Sequence, residues 1–84
     1  MRNKKFVSVV VSVDEVGNKK PKSIDYNGQE YIIDKVLGMK RCASFKAGGI
    51  GERYTIRIEG KETYLFYEMG RWFVEEKVVA KPNN

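Results

Sequence analysis

The stretch that decides the fold is Arg53-Tyr-Thr-Ile-Arg-Ile-Glu59, together with its return segment, Glu62-Thr-Tyr-Leu-Phe-Tyr-Glu68. The first segment alternates apolar and polar side chains strictly, as half-buried β-strands do. Gly60-Lys61 predicts a two-residue type II′ turn with glycine first. The resulting register pairs Ile58 with Thr63, Ile56 with Leu65, and Tyr54 with Tyr67.

A second tight turn, Met69-Gly70, leads into a final strand from Arg71 to Lys77. With a two-residue loop, Tyr67 pairs with Trp72 and Leu65 with Val74. The alternation along the three strands therefore predicts one apolar inner face. Its members are Tyr54, Ile56, Ile58, Leu65, Tyr67, Trp72 and Val74.

Upstream of this region, Ser23 to Ile33 reads as another hairpin. Asn27-Gly28 is its turn, because both residues tolerate the positive φ of a type I′ turn. This register places Asp25 opposite Glu30. A like-charge pair indicates either a different register or an exposed face.

The segment from Phe6 to Val13 alternates β-branched residues and predicts a first strand. Basic residues precede it as in a signal peptide. However, the apolar run is short and no small-residue cleavage site follows, which favours a strand and a cytoplasmic protein. Because this strand is apolar on both faces, it is also a candidate edge for a protein partner or a homodimer.

The second arm of the hairpin over 23–33 is predicted to continue toward Cys42 as one long, bent strand, with Gly38 marking a bulge or bend. Its apolar residues are Ile32, Ile33, Val36, Leu37 and Met39. A short helix over 34–39 is the alternative. Ser44 to Glu52 reads as a flexible connection. The fold class is thus all-β: an antiparallel five- to six-stranded meander closing into a small SH3-like or OB-like barrel. It forms a single domain over 1–80, followed by a frayed tail over 81–84.

Composition excludes several functions. The 84 residues carry a net charge of +5, one cysteine and no histidine. A disulfide within the chain is therefore excluded, a zinc site has no soft ligand set, and no nucleophile has a histidine to activate it. We expect no enzyme activity, no metal and no cofactor. A pocket holding several carboxylates would argue the opposite.

The outer face of the last three strands is the candidate binding site. Alternation places Arg53, Arg57, Tyr64, Phe66 and Phe73 there, with Arg57 beside Tyr64 and Phe66 beside Phe73. Aromatic rings with arginines on a sheet face are typical of single-stranded nucleic-acid binding. The same residues also suit a protein partner, or a second small core covered by the first strand.

The glycine-rich segment nearby adds three candidate residues for contact with phosphates. They are Lys46, Gly48 and Gly49, where glycine allows close approach of the backbone. The segment lacks the Gly-Lys-Ser/Thr ending of a P-loop.

Spaced motifs between about Pro21 and Glu76 resemble a known family. They are Tyr26-Asn-Gly-Gln-Glu-Tyr-Ile-Ile-Asp-Lys-Val-Leu37, Arg53-Tyr-Thr-Ile, Glu62-Thr-Tyr-Leu-Phe-Tyr and Gly70-Arg-Trp-Phe-Val74. The pattern resembles small uncharacterised bacterial domains that are often encoded beside Y-family translesion DNA polymerases. The resemblance implies a β domain without chemistry of its own, acting as an accessory in DNA damage tolerance.

Overall fold

Seven β-strands follow one another along the chain in a computed structural model that describes residues 2–43 and 50–77. They are β1 (Arg2–Val13), β2 (Lys19–Tyr26), β3 (Gln29–Ile32), β4 (Lys35–Ala43), β5 (Ile50–Ile58), β6 (Lys61–Glu68) and β7 (Arg71–Lys77). All pairings are antiparallel, in the order β3-β2-β1-β7-β6-β5-β4. The sheet curls into a half-barrel. The all-β, antiparallel prediction is confirmed.

The predicted count of five to six strands is wrong, because the expected bent strand is divided at Ile33-Asp34 into β3 and β4. The Ile33 amide donates to the Lys22 carbonyl at 2.9 Å, and the Asp34 amide donates to the Arg57 carbonyl at 2.8 Å. These two residues therefore join the strands at the opposite ends of the sheet order. They hydrogen-bond to β2 and to β5 in turn.

The segment 34–39, for which the sequence allows either a strand or a short helix, belongs to β4 from Lys35 onward. Its register against β5 shifts between Val36 and Gly38, so a bulge lies where the glycine predicts one. The flexible connection predicted over 44–52 extends too far toward the C-terminus, because β5 already begins at Ile50.

Three hairpins share one turn chemistry. Asn27-Gly28, Glu59-Gly60 and Met69-Gly70 each hold positive φ at both positions, from 50° to 52° at the first residue and from 76° to 79° at the glycine. Type I′ turns require this geometry, which matches the twist of the flanking strands. The Asn27-Gly28 and Met69-Gly70 turns are confirmed.

The predicted Gly60-Lys61 turn is wrong by one residue, since the turn is Glu59-Gly60. Ile58 consequently pairs with Lys61, a shift of two residues from the prediction. Because side chains alternate with period two, this shift keeps every residue on its predicted face and changes only its neighbours.

The first strand lies inside the sheet, and its assignment as an edge is wrong. Its first half pairs with β7, as in Val7 with Trp72, and its second half pairs with β2, as in Val9 with Ile24. The pairing with β7 is long-range, and it places β1 between β2 and β7 in the sheet.

The inner face of the sheet forms the core. Ile24, Tyr54, Ile56 and Leu65 are buried there. Complete burial of Ile56 and Leu65, each 0% exposed, stabilises the fold by roughly 1.5–3 kcal/mol per side chain. The predicted inner face is confirmed, since its remaining members pack against this cluster: Ile58, Tyr67, Trp72 and Val74.

The β1–β2 connection is organised by one carboxylate. Asp14 accepts hydrogen bonds from the backbone amides of Asn18 and Val16 at 2.8 and 3.0 Å, and from the Asn18 side chain at 3.0 Å. These bonds, chiefly those from Asn18, lower the pKa of Asp14.

Candidate binding face

A row of four aromatic rings crosses the outer face of the sheet: Phe6 on β1, Phe73 on β7, and Phe66 and Tyr64 on β6. Phe66 and Phe73 stack with centroids 5.0 Å apart and planes at 7°. Phe6 meets Phe73 edge-on at 5.8 Å, and Tyr64 lies 6.4 Å from Phe66. We call these four residues the aromatic row.

The strand pairings explain how the aromatic row forms. Phe66 pairs with Phe73 across β6–β7, as predicted, and Phe6 pairs with Phe73 across β1–β7. Directly opposite residues of antiparallel strands share a face, so the three rings stand side by side. The row therefore depends on the long-range pairing of β1 as much as on the local hairpin.

Three cations lie over the rings. The guanidinium of Arg71 is 3.5 Å from the Phe6 centroid, that of Arg53 is 4.6 Å from Tyr64, and the Lys4 ammonium is 4.6 Å from Phe73. Attraction between a cation and an aromatic face is worth about 0.5–1 kcal/mol at exposed sites. The row is therefore bordered by positive charge.

Lys4 and Arg53 differ in their other contacts. Lys4 also forms an ion pair with Glu68 at 3.1 Å. The Nε atom of Arg53 is buried and, among the residues that the structure describes, has no hydrogen-bond partner.

Within the described chain, all but one of the predicted site residues lie close together. Arg53, Tyr64, Phe66 and Phe73 converge, whereas Arg57 does not lie beside Tyr64 as predicted. The shifted register pairs Arg57 with Glu62 and with Lys35.

Lys46, Gly48 and Gly49 lie outside the described residues. Gly51, in the same glycine-rich segment, belongs to β5 and is buried.

The aromatic row combines a buried centre with exposed ends. Phe73 is only 2% exposed, whereas Phe6 is 47% and Tyr64 is 42% exposed. Phe73 therefore lies in a second small core on the outer face, which was one of the predicted alternatives. Phe6 of the first strand covers part of this core. The ends of the row still present ring surface to a ligand.

Three contributors to this face were missed as binding residues: Lys4, Phe6 and Arg71. Arg71 was detectable, because it lies two residues before Phe73 on one strand and so shares its face. Lys4 and Phe6 join the face only through the pairing of β1 with β7. That pairing has no local sequence signal.

A polar cluster closes one end of the inner face. Tyr54 donates to Glu52 at 2.8 Å, and Lys19 forms an ion pair with the same carboxylate at 3.3 Å. Burial, followed by the hydrogen bond to Glu52, raises the pKa of Tyr54 well above its ordinary value. The polar groups of this cluster bond to one another, and we interpret the cluster as structural.

At the end of the inner face opposite this polar cluster lies an opening with a volume of about 310 Å³. Its walls include Ile24, Tyr31 and Val74. At its rim Tyr26 donates to Glu76, and this bond raises the pKa of Tyr26. The walls are mainly apolar and form an open recess.

Within the described residues, no three histidine, cysteine, aspartate or glutamate side chains are placed to hold a metal ion. The same part of the chain contains no helix with the length and apolarity to cross a membrane.

Comparison with known proteins identifies no relative. No family model, curated protein or solved structure matches the chain.

Proposed function

We propose that this chain is a non-enzymatic binding module that holds single-stranded nucleic acid on the aromatic row. The observation that carries the proposal is the combination of two exposed rings, Phe6 and Tyr64, each with a guanidinium against its face. Bases stack on aromatic rings and on arginine planes, while guanidinium edges contact phosphates.

Charge supports this assignment. The chain has a net charge of +5, and the outer face of β5 and β4 carries Arg53 at the row, with Arg57 and Lys35 farther along the sheet. A basic face raises the local concentration of a polyanion and accelerates its association. Phe73, being buried, supports the neighbouring rings and does not itself stack on a base.

The test is a fluorescence-anisotropy titration of labelled oligothymidylate and oligouridylate. We expect Tyr64→Ala to weaken binding by about 5- to 150-fold, since a base–aromatic stack is worth roughly 1–3 kcal/mol. Ile32→Ala is the matched control. It also removes an exposed apolar side chain from the outer face, 60% exposed, but on β3. Equal losses in both variants would contradict the proposal.

Salt dependence gives a second readout. If Arg53 and Arg71 each neutralise one phosphate, a fourfold rise in salt should weaken binding roughly sevenfold. Arg71→Ala should reduce that slope by about 0.7, whereas Lys20→Ala on β2 should leave it unchanged. Wild-type protein that binds neither oligonucleotide at low salt would overturn the proposed function.

We propose that the half-barrel is a small SH3-like or OB-like barrel that closes only at Ile33-Asp34, where β3 leads into β4, and that leaves the rest of the β4 edge unpaired. Its support is the pair of backbone hydrogen bonds from these residues to β2 and β5. The role of an accessory to a translesion polymerase, implied by the family resemblance, stays a prediction.

A second candidate function is a protein-interaction or homo-oligomeric module. Val10 and Ile32 favour it, since they flank buried Ser23 on the outer face and are 59% and 60% exposed. Paired exposed apolar residues suit a protein interface. Light scattering tests the homo-oligomer, and a monomer at all concentrations would overturn it.

A further inference from the structure

A groove of about 410 Å³ runs along β4, between this strand and the residues that lead into β2. Four consecutive β4 residues, 36–39, line one wall, and residues 16–19 line the other. Arg41, Glu52 and Tyr54 complete the lining, and the Glu52 carboxylate is ion-paired with Lys19. The groove therefore lies beside the strand that ends the sheet order.

Within the described chain, β4 pairs with β5 alone and ends the sheet order, so no described strand covers its outer edge. Gly38 and Arg41 are exposed, and Met39 is 45% exposed. A strand with one unpaired edge presents a row of backbone N–H and C=O groups on which an extended peptide can pair.

The charge of β4 selects the partner. The strand reads Lys-Val-Leu-Gly-Met-Lys-Arg-Cys-Ala, with three cations and no carboxylate. A second copy of the same strand would bring like charges together, which is unfavourable in cross-strand pairs. A peptide that carries carboxylates would be attracted.

We propose that β4 binds an extended acidic segment of another protein as an added β-strand. The register of β4 places Lys35 on the outer face, and Val36 and Met39 on the inner face with Ile56 and Tyr54. A segment with alternating carboxylate and apolar side chains satisfies both faces, since its carboxylates lie beside Lys35 and its apolar groups extend the inner face.

The experiment uses the full chain and a labelled peptide of alternating Glu and Val, about as long as the nine residues of β4. We expect Lys35→Glu to weaken binding by about tenfold or more, as like charge replaces attraction. Lys61→Glu, the same charge reversal at an exposed site on β6, should change it little.

A second peptide separates strand pairing from charge attraction. Methylation of alternate backbone nitrogens keeps every side chain but removes hydrogen-bond donors on one edge. Two such peptides are made, each methylated along a different edge. One of them should bind at least about tenfold more weakly than the parent peptide, because it loses two or more hydrogen bonds to β4. Equal affinity for both methylated peptides and the parent peptide would overturn the proposal.

Hydrogen exchange locates the site. On peptide addition, β4 amides that point away from β5 should exchange more slowly, while the amides of β6 should not change. Protection confined to the aromatic row would overturn the β4 assignment, as would a peptide-independent dimer that already protects β4. This proposal is independent of nucleic-acid binding, because Tyr64→Ala leaves the β4 edge intact.

Discussion

Truncation of Phe73 tests the most specific packing feature of the outer face. The Phe73 ring is 2% exposed, stacks on Phe66 at 5.0 Å and meets Phe6 at 5.8 Å. Removing a fully buried phenylalanine side chain costs about 3–5 kcal/mol. We therefore expect Phe73→Ala to lower the free energy of unfolding by about 4 kcal/mol.

This loss is large for so small a domain. At 0.05–0.15 kcal/mol per residue, a chain of 84 residues has a stability of about 4–13 kcal/mol. Because the loss expected for Phe73→Ala equals the lower end of this range, Phe73→Leu is measured beside it. The leucine variant keeps an apolar side chain but loses both ring contacts, and should cost about 2 kcal/mol.

The assay is urea denaturation followed by tryptophan fluorescence, with linear extrapolation to water. Trp72 lies on the inner face and reports loss of the core. Val10→Ala is the control, since this residue is 59% exposed on the same outer face and should change stability by less than about 0.5 kcal/mol. A loss below about 1 kcal/mol for Phe73→Ala would refute the buried centre of the aromatic row.

Two further predictions concern the turn register and pH. Glu59→Asn should stabilise the protein by about 0.5–1 kcal/mol, because it places Asn-Gly in a turn where Glu59 holds a φ of 50°; no gain in urea denaturation would favour the alternative turn at Gly60-Lys61. The raised pKa of Tyr54 contributes stability that is complete below the unfolded value of 10.0 and is lost as pH rises toward the folded value. Tyr54→Phe should therefore flatten the alkaline loss of stability, and an unchanged pH profile would contradict the burial of this hydroxyl.

Much of the sheet follows from local sequence. Alternation along 53–59 and 71–77 determines which side chains face the core, because strand side chains repeat with period two. The glycines at positions 28, 60 and 70 determine where the chain turns back, since they accept positive φ. Even the wrong turn at Gly60-Lys61 left both faces correct, because the register error was two residues.

The tertiary structure decided what no local signal carries. The pairing of β1 with β7 joins residues far apart in sequence, and it alone brings Lys4 and Phe6 to the aromatic row. The break at Ile33-Asp34 depends on hydrogen bonds to β2 and β5, so it is set by the curl of the whole sheet. The sequence by itself thus determined the faces, the Asn27-Gly28 and Met69-Gly70 turns and the neighbours across β6–β7, through the period of a strand and the conformational freedom of glycine. Neighbours across β1–β7 were decided only by the tertiary structure, because a contact between residues far apart in sequence has to offset the entropy of closing a long loop.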